Sequence, residues 1–286
     1  MVCGHSIVLQ GTCCQCGSAV MDESNKLIPF EFLAKGLKLS PQYVGFMKRH
    51  TMINTLKEKK KLHLVLNLHG TLYDYGRISA FSDREKHLVG EVDSRDDLWR
   101  ITARSHQGLI KLRPFVAEFL REANKLFTLH AYSLSPSDHS DYMLKLLDPH
   151  QTYFGRRVIC GRDTRDTWMK TLDLVLVDER VLVILDDQCS SWWADHTNHL
   201  LQIMTYRYFK RPTTSGSLFA NLFNHVKRYL FGYDCDQLAP KSYSEEGTDE
   251  SAEDGGLANA LRFLRNLHQR FYDGEYKDVR MLLHAS

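Results

Sequence analysis

The alternation of apolar and polar positions divides the chain into short strands and amphipathic helices. Apolar stretches that fit strands lie at residues 62–66, 126–132, 181–185 and 199–206. Apolar residues at helical spacing predict helices over 111–127, 138–147 and 257–271, with one apolar face each. This order of elements is typical of an α/β protein whose helices pack on an open sheet.

The segments outside these elements carry weaker patterns. Four apolar residues predict a short helix that ends near Gly36: Ile28, Phe30, Phe32 and Leu33. Ser40 followed by Pro41 indicates the start of a further helix, because serine caps a helix and proline is tolerated at its first position. Residues 79–110 are polar, charged and poorly periodic, so we expect an insertion or cap outside the core.

Residues 242–256 form an acidic segment with six acidic residues, no basic residues and no large aliphatic ones. A stretch of this composition cannot bury enough apolar surface to order itself, so we expect a linker. The predicted organisation is a Cys/His segment at 1–24, a helical lead-in at 25–60, a main domain at 61–235, the acidic linker at 236–256 and a C-terminal amphipathic helix at 257–283.

Composition excludes several classes of protein. The 286 residues, 43% hydrophobic and 25% charged, are those of one soluble globular domain with extensions. A net charge of +2 argues against direct binding of nucleic acid. No apolar run approaches the roughly 18 residues that span a membrane. The N-terminus lacks a basic region followed by an apolar core, so we expect no secretory signal.

The N-terminal segment offers four donors for a metal ion: Cys3, His5, Cys13 and Cys16. Four nitrogen and sulfur ligands satisfy tetrahedral zinc, and closing such a site orders a segment too short to form its own core. Four protein ligands leave no open position, so this zinc would be structural. Two alternatives stay open from the spacing, namely that Cys14 replaces a neighbouring ligand or that the cysteines are reduced thiols in a loose terminus.

Two strand ends carry the other candidate chemistry. The strand at 62–66 runs into Asn67 and His69, and the strand at 181–185 runs into Asp186 and Asp187. In an open α/β sheet the functional crevice lies beyond the carboxyl ends of the strands. Paired carboxylates at such an end offer the oxygen ligands that Mg²⁺ prefers.

The sequence around the first of these ends resembles the signature of the haloacid dehalogenase superfamily, in the form found in RNA polymerase II C-terminal-domain (CTD) phosphatases. Those enzymes read approximately LVLDLDHTL where this chain reads LVLNLHGTL. Further motifs follow the same family in the same order, from the Cys/His segment to about Leu283: FLAKGLKLS, KLRPF, YFGRRVI, ILDD and YKDVRMLL. The resemblance is strongest to the plant-type proteins. It implies a haloacid dehalogenase-like Rossmannoid parallel sheet flanked by helices, with a small cap.

The resemblance also implies a role for each matching position. Asn67 takes the place of the nucleophilic aspartate, and His69 that of the acid/base aspartate. The implied phosphate-binding residues are Thr71, Ser133 and Lys170, and the implied Mg²⁺ ligands are Asp186 and Asp187. Both catalytic carboxylates of the signature are therefore replaced, while the later acidic pair is intact.

These replacements define three hypotheses. An amide is a far poorer nucleophile than a carboxylate, so the first hypothesis is a pseudophosphatase that binds phosphoserine CTD-type peptides, with Mg²⁺ weakly bound or absent. The second is an active Mg²⁺-dependent serine phosphatase that uses unusual residues, and the third is a zinc-stabilised interaction module. A phosphorylated RNA polymerase II CTD as partner and a nuclear location are implied by the resemblance alone.

Overall fold

A computed structural model describes residues 3–20, 27–55, 60–103, 106–135, 137–164, 168–210, 242–274 and 277–284. The strands are β1 (Ile7–Leu9), β2 (Thr12–Cys13), β3 (Ile28–Pro29), β4 (Leu37–Leu39), β5 (Leu62–Asn67), β6 (Tyr73–Arg77), β7 (Leu98–Ala103), β8 (His106–Leu112), β9 (Phe127–Tyr132), β10 (Val158–Ile159), β11 (Leu182–Asp186) and β12 (Leu200–Gln202). The helices are α1 (Pro41–Asn54), α2 (Leu88–Glu91), α3 (Val116–Leu126), α4 (Ser137–Leu147), α5 (Tyr243–Glu246), α6 (Gly256–Tyr272) and α7 (Val279–Leu283).

A five-stranded parallel sheet in the order β10-β9-β5-β11-β12 forms the centre of the main domain. Every residue of β5 and β11 is buried. Strands buried on both faces read as nearly continuous apolar runs, which is the pattern that predicted them. The parallel α/β sheet expected from the sequence is confirmed, and the predicted strand at 199–206 is shorter because β12 ends at Gln202.

Amphipathic helices cover this sheet as their spacing predicts. Helix α3 buries Val116, Phe119, Leu120 and Ala123, and it packs against α6. The predicted helix over 257–271 is confirmed as α6, whose apolar face lies in the main core: Leu257, Ala260, Leu261, Leu264, Leu267 and Phe271. Among the described residues, no helix has both the length and the apolar character needed to cross a bilayer.

The helix predicted around Ile28 to Leu33 is wrong. Ile28 and Pro29 form β3, which pairs with β4 in a four-stranded antiparallel sheet of order β2-β1-β4-β3. The Cys/His segment supplies strands β1 and β2 of this sheet, so extended partners from outside the local sequence override the helical spacing. The predicted start of α1 is confirmed, because the Ser40 hydroxyl accepts a hydrogen bond from the Tyr43 backbone N–H at 3.2 Å.

The insertion expected at 79–110 contributes a separate three-stranded antiparallel sheet of order β6-β8-β7. Its small apolar cluster joins Leu88, Leu98 and Leu109 with residues that follow β12, namely Tyr206, Tyr208 and Phe209. The chain after β12 therefore leaves the parallel sheet and packs against the insertion. This packing holds the insertion beside the carboxyl edge of β5.

The acidic segment is ordered by ion pairs, which corrects the linker prediction for residues 242–256; residues 236–241 lie outside the described residues. Asp249 lies 2.6 Å from the ammonium of Lys111, and both oxygens of Glu250 accept hydrogen bonds from Arg113 at 2.6 and 2.7 Å. The side chains of Lys111 and Arg113 are fully buried. Composition alone failed here because two buried cations from β8 and the residue after it provide the ordering free energy that apolar burial does not.

We expect Glu250→Ala to lower the free energy of unfolding by about 3 kcal/mol, because removing one partner leaves the Arg113 guanidinium buried without its carboxylate. Urea denaturation followed by circular dichroism measures this change. Glu253→Ala is the matched control, since Glu253 is an exposed acidic residue of the same segment. Equal stabilities for the two variants would contradict the role assigned to the Arg113–Glu250 pair.

Candidate active site and metal centre

The carboxyl edge of the parallel sheet brings the predicted site residues together. Asn67 is the last residue of β5, Asp186 is the last residue of β11, and Ser133 follows β9 directly. These three strands are neighbours in the sheet, and the register places Asn67 beside Tyr132. Because parallel strands end at the same edge, residues far apart in sequence converge there.

The side-chain amide of Asn67 holds a defined orientation. Its Oδ1 accepts a hydrogen bond from the Lys170 ammonium at 2.9 Å, and its Nδ2 donates to Asp187 Oδ1 at 2.7 Å. An ammonium only donates and a carboxylate only accepts, so the reversed amide would place two donors and two acceptors against each other. The nitrogen of Asn67 therefore faces Asp187, and its oxygen faces Lys170.

Three oxygen atoms converge on the Asn67 nitrogen. Besides Asp187 Oδ1, they are the His69 backbone oxygen at 2.6 Å and Thr71 Oγ1 at 3.1 Å. The amide N–H groups occupy the centre of this oxygen cluster and offset part of the charge of Asp187. A carboxylate at position 67 would bring two anionic groups to this distance, and a cation between them would then be required.

Lys170 and Asp186 form a buried ion pair beside the amide. Their charged atoms are 2.6 Å apart, with side chains 4% and 0% exposed. The indole N–H of Trp192 donates to Asp186 Oδ2 at 2.7 Å, and the backbone N–H of Gln188 donates to Oδ1 at 2.9 Å. Both oxygens of Asp186 are thus occupied, as the charge of a buried carboxylate requires. Trp192 was not identified as a site residue from the sequence, where its position favoured simple packing.

Asp187 differs from its neighbour because one of its oxygens is unsatisfied. Oδ1 accepts hydrogen bonds from Asn67 and Thr71, whereas Oδ2 is buried and has no hydrogen-bond partner. Burial raises the pKa of the Asp187 carboxyl, and the nearby charge of Asp186 raises it further. Gly70 has a φ of +80°, and a Cβ at this position would lie 2.5 Å from Oδ2, so only glycine allows the turn to approach this carboxylate.

These contacts test the predicted Mg²⁺ ligands. Asp187 fits, because its buried Oδ2 is an oxygen ligand without another partner. Asp186 is fully engaged by Lys170, Trp192 and Gln188, and Asn67 turns hydrogens toward Asp187. The donor set thus provides one available carboxylate oxygen, which is fewer than the pair that the sequence predicts.

His69 lies at the open side of the site, with 40% of its side chain exposed. Its Nε2 is 3.4 Å from Asp74 Oδ1, and Asp74 is fully buried. The other oxygen of Asp74 accepts hydrogen bonds from the backbone N–H groups of Tyr208 and Phe209, which fixes the carboxylate in place. A histidine oriented by a carboxylate can hold or move a proton. Asp74 was missed by the sequence reasoning, since no motif distinguishes it from other polar strand residues.

Thr71 and Ser133 are buried in the same region. Thr71 Oγ1 donates to Asp187 Oδ1 at 3.1 Å, and Ser133 Oγ accepts from the Ser135 backbone N–H at 3.1 Å. Together with the Lys170 ammonium, they place two hydroxyl groups and one cation near the strand ends. The roles predicted for them in binding phosphate remain predictions.

The four N-terminal metal-ligand candidates also converge. Their ligand atoms all lie within 4.8 Å of one another: Cys3, His5, Cys13 and Cys16. Cys14 is exposed and lies outside this group, which favours the first of the ligand sets that the spacing left open. A backbone N–H from Cys16 lowers the pKa of the Cys13 thiol, which favours the thiolate that zinc binds. Two sulfurs, a third thiol and an imidazole at these distances fit a tetrahedral structural ion.

Comparisons with known proteins agree with this architecture. Residues 62–232 match the family of NLI interacting factor-like phosphatases. RNA polymerase II C-terminal domain phosphatase-like 4 from Arabidopsis thaliana is 30% identical over 98% of this chain and 61% of its own length. Phosphatase-like 3 from the same plant is 29% identical over 80% of this chain and 18% of its own. The chain thus spans less than two thirds of either relative.

Solved structures show the same fold. Fcp1, described as an essential RNA polymerase II CTD phosphatase, superposes with a TM-score of 0.59 at 18% identity, covering 83% of this chain and 73% of its own. A fission yeast Fcp1 variant bound to beryllium fluoride gives a TM-score of 0.60 at 17% identity, with the same coverage. The central sheet is therefore the haloacid dehalogenase-like sheet of Fcp1, as the resemblance predicts.

We expect Cys16→Ser to remove bound zinc from the purified protein, because the remaining three ligands leave the tetrahedral site open. Metal content measured by mass spectrometry, and the absorption spectrum after substitution with Co²⁺, check this loss. Cys14→Ser is the matched control and should retain one zinc ion per chain, since Cys14 lies outside the ligand group. Zinc-free wild-type protein, or equal loss in both variants, would contradict the assignment.

Proposed function

Because the chain belongs to the NLI interacting factor-like phosphatase family, we propose that it is a CTD-phosphatase-like protein that binds phosphoserine peptides and hydrolyses them very slowly or not at all. The observation that carries this proposal is the amide of Asn67 at the end of β5, held between Lys170 and Asp187. The family mechanism needs a carboxylate at this position.

The loss of hydrolysis follows from the chemistry of the amide. In the family, the first aspartate attacks phosphorus and forms an aspartyl-phosphate, which water then cleaves. The nitrogen lone pair of an amide is delocalised, and the oxygen of Asn67 already accepts a hydrogen bond from Lys170. Losing one group of a concerted catalytic set commonly lowers the rate by about 10²- to 10⁴-fold. Covalent catalysis through position 67 is therefore absent.

The acid/base half of the reaction is better preserved than the nucleophilic half. His69 is exposed toward the site and oriented by Asp74 at 3.4 Å. This imidazole can deliver a proton to a leaving serine or accept one from water near neutral pH. A proton donor without a nucleophile does not form the covalent intermediate, so the His69–Asp74 pair does not restore the family mechanism.

Phosphate binding requires less than hydrolysis does. The Lys170 ammonium and the hydroxyl groups of Thr71 and Ser133 are donors suited to phosphoryl oxygens. Asn67 removes one negative charge that would face a phosphate dianion, and its N–H groups offset part of the charge of Asp187. Mg²⁺, if bound by Asp187, would link this carboxylate to the phosphate and neutralise both. Asp187 is the residue that opposes phosphate binding when no cation is bound.

The proposed ligand is a phosphoserine peptide of the RNA polymerase II CTD type. Its support is the similarity to relatives named as RNA polymerase II CTD phosphatases from Arabidopsis, Encephalitozoon cuniculi and other eukaryotes. A nuclear location follows from the same proposal. The zinc-stabilised module described above would then be a folded extension of the phosphopeptide-binding domain.

A second candidate function is an active Mg²⁺-dependent serine phosphatase. The observation that favours it is Asp187 Oδ2, a buried carboxylate oxygen without a hydrogen-bond partner close to the strand ends. A phosphorylated Asp187, trapped and located by mass spectrometry, would establish this alternative in place of the first. Loss of that adduct in Asp187→Asn, with retention in Asn67→Ala, distinguishes it from a contaminating phosphatase.

We expect a phosphoserine heptad peptide to bind at least about tenfold more tightly than its unphosphorylated form, as measured by fluorescence anisotropy. Ser133→Ala and Lys170→Met should reduce this preference, and Lys145→Met on the exposed face of α4 should leave it unchanged. Thermal melting identifies any variant that does not fold. Equal affinity of wild-type protein for both peptides would reject the proposed function.

We expect Asp187→Asn to tighten phosphopeptide binding, because it removes the negative charge nearest the phosphate. The raised pKa of Asp187 means that its neutral form persists to higher pH than that of an ordinary carboxyl group. Binding by wild-type protein should therefore strengthen relative to Asp187→Asn as the pH falls. A constant ratio between the two across the pH range would show that Asp187 does not face the ligand.

We expect the double variant Asn67→Asp with His69→Asp to hydrolyse p-nitrophenyl phosphate in a Mg²⁺-dependent manner. The new carboxylate at position 67 lies opposite Asp187 and creates the anionic oxygen pair that binds the cation. Asn198→Asp, an exposed site for the same amide-to-acid change, is the matched control. A wild-type rate equal to that of the double variant would instead favour the active-phosphatase alternative.

A further inference from the structure

A cavity of about 620 Å³ lies between the N-terminal sheet and the chain around Lys170. Strand β3 forms one wall through Ile28 and Pro29. The other walls come from three segments of the main domain: 163–164, 169–174 and 193–196. This volume lies within the range of cavities that bind small ligands or a few residues of a peptide.

The cavity is separate from the candidate active site. Lys170 and Trp192 point toward Asp186, and their two chain segments form a parallel β-bridge with each other. Neighbouring residues in extended chain point to opposite sides. Met169, Thr171 and Trp193 accordingly line the cavity and not the strand ends. The two sites therefore share a wall that is one backbone thick.

Acidic groups dominate the polar part of the lining. Asp163, Asp173 and Asp195 all contribute to the wall, and none of the described lining residues is lysine or arginine. The side chain of Asp163 is only 1% exposed. Its Oδ2 accepts hydrogen bonds from the Cys160 backbone N–H at 2.8 Å and from the Cys160 thiol at 3.1 Å.

The second oxygen of Asp163 lacks a donor. Oδ1 is buried and accepts no hydrogen bond, and the Arg162 guanidinium is 4.0 Å away, beyond hydrogen-bond distance. Leaving a buried carboxylate oxygen unsatisfied is unfavourable, and a donor supplied by a ligand would remove this cost. His196 also lines the cavity, and its Nδ1 is likewise buried without a partner.

The apolar part of the lining limits which cation fits. Met169, Leu174 and Trp193 add thioether, aliphatic and indole surface, and the Trp193 side chain is 45% exposed. A guanidinium group stacks on an indole and binds carboxylates through two parallel hydrogen bonds, and its alkyl stem packs on apolar surface. A compact, strongly hydrated ammonium uses this combination less well.

We propose that this cavity binds an arginine side chain carried by a peptide of a partner protein. The guanidinium donates to Asp163 Oδ1, and its stem packs against Trp193 and Met169. The exposed carboxylates of Asp173 and Asp195 complement its charge at the rim. The cavity is larger than one side chain, so neighbouring peptide residues occupy the remainder, and this favours a peptide over free arginine.

This site is independent of the phosphopeptide pocket. An occupant contacts both β3 of the Cys/His sheet and the chain segment that carries Lys170, and it therefore joins the N-terminal module to the main domain. Phosphoserine heptad peptide, which lacks arginine, should not displace it. Failure of phosphopeptide binding would leave this proposal untouched, and the reverse also holds.

The probe is a fluorescein-labelled acetyl-Gly-Ser-Arg-Ser-Gly amide, measured by fluorescence anisotropy with the full chain. We expect it to bind at least about tenfold more tightly than the same peptide with lysine or citrulline in place of arginine. N-acetylarginine amide should bind more weakly than the peptide. Equal affinity for the citrulline peptide overturns the site, equal affinity for the lysine peptide overturns the guanidinium assignment, and equal affinity for N-acetylarginine amide overturns the peptide assignment.

Substitutions locate the binding. Asp163→Asn should weaken binding of the arginine peptide about tenfold, and the Asp173→Asn and Asp195→Asn double variant tests the rim without altering a buried residue. Asp96→Asn in the insertion is the matched charge control and should bind as wild type does. Trp193→Ala should weaken binding, whereas Trp99→Ala should not. Unchanged affinity in both the folded Asp163→Asn protein and the rim double variant overturns the proposal.

Discussion

The hydrogen bonds of the Asn67 amide determine the electrostatics of the whole site. This one neutral group connects the Lys170–Asp186 ion pair to Asp187, donating on one side and accepting on the other. An isolated buried carboxylate is strongly disfavoured, and the amide satisfies one oxygen of Asp187 without adding charge. The remaining oxygen and the raised pKa of this carboxyl follow from the fact that an amide offsets a carboxylate less completely than a cation does.

The turn that carries His69 and Gly70 is held by buried charges on several sides. Arg113 donates to the Thr71 backbone oxygen and is itself neutralised by Glu250 of the acidic segment. Asp74 binds backbone N–H groups of the chain that returns from β12. Removing one member of such a buried set leaves another charge unpaired, so each pair supports the geometry of the turn. Segments that are distant in sequence thus contribute to the position of His69.

Family membership and altered chemistry are compatible because fold and reaction depend on different residues. The parallel sheet, its covering helices and the match over residues 62–232 rest on apolar patterns that are intact. The nucleophile is a single side chain at the edge of that sheet, and its exchange from carboxylate to amide leaves the packing unchanged. A protein can therefore retain the binding frame of a phosphatase after the attacking group is gone. The Cys/His sheet and the cavity beside it add surfaces that this frame does not need for chemistry.

The sequence by itself determined the features that depend on local pattern: the buried strands, the amphipathic faces of α3 and α6, the Ser40 cap, and the arrival of Asn67, Ser133 and Asp186 at strand ends. Periodicity and turn chemistry act over a few residues, so they can be read without coordinates. Only the tertiary structure decided the direction of the Asn67 amide, the unsatisfied oxygen of Asp187, the β conformation of Ile28 and Pro29, and the ordering of the acidic segment. Each of these depends on a partner far away in sequence, such as Lys170 for Asn67 and Arg113 for Glu250, and no local pattern encodes which distant group will be near.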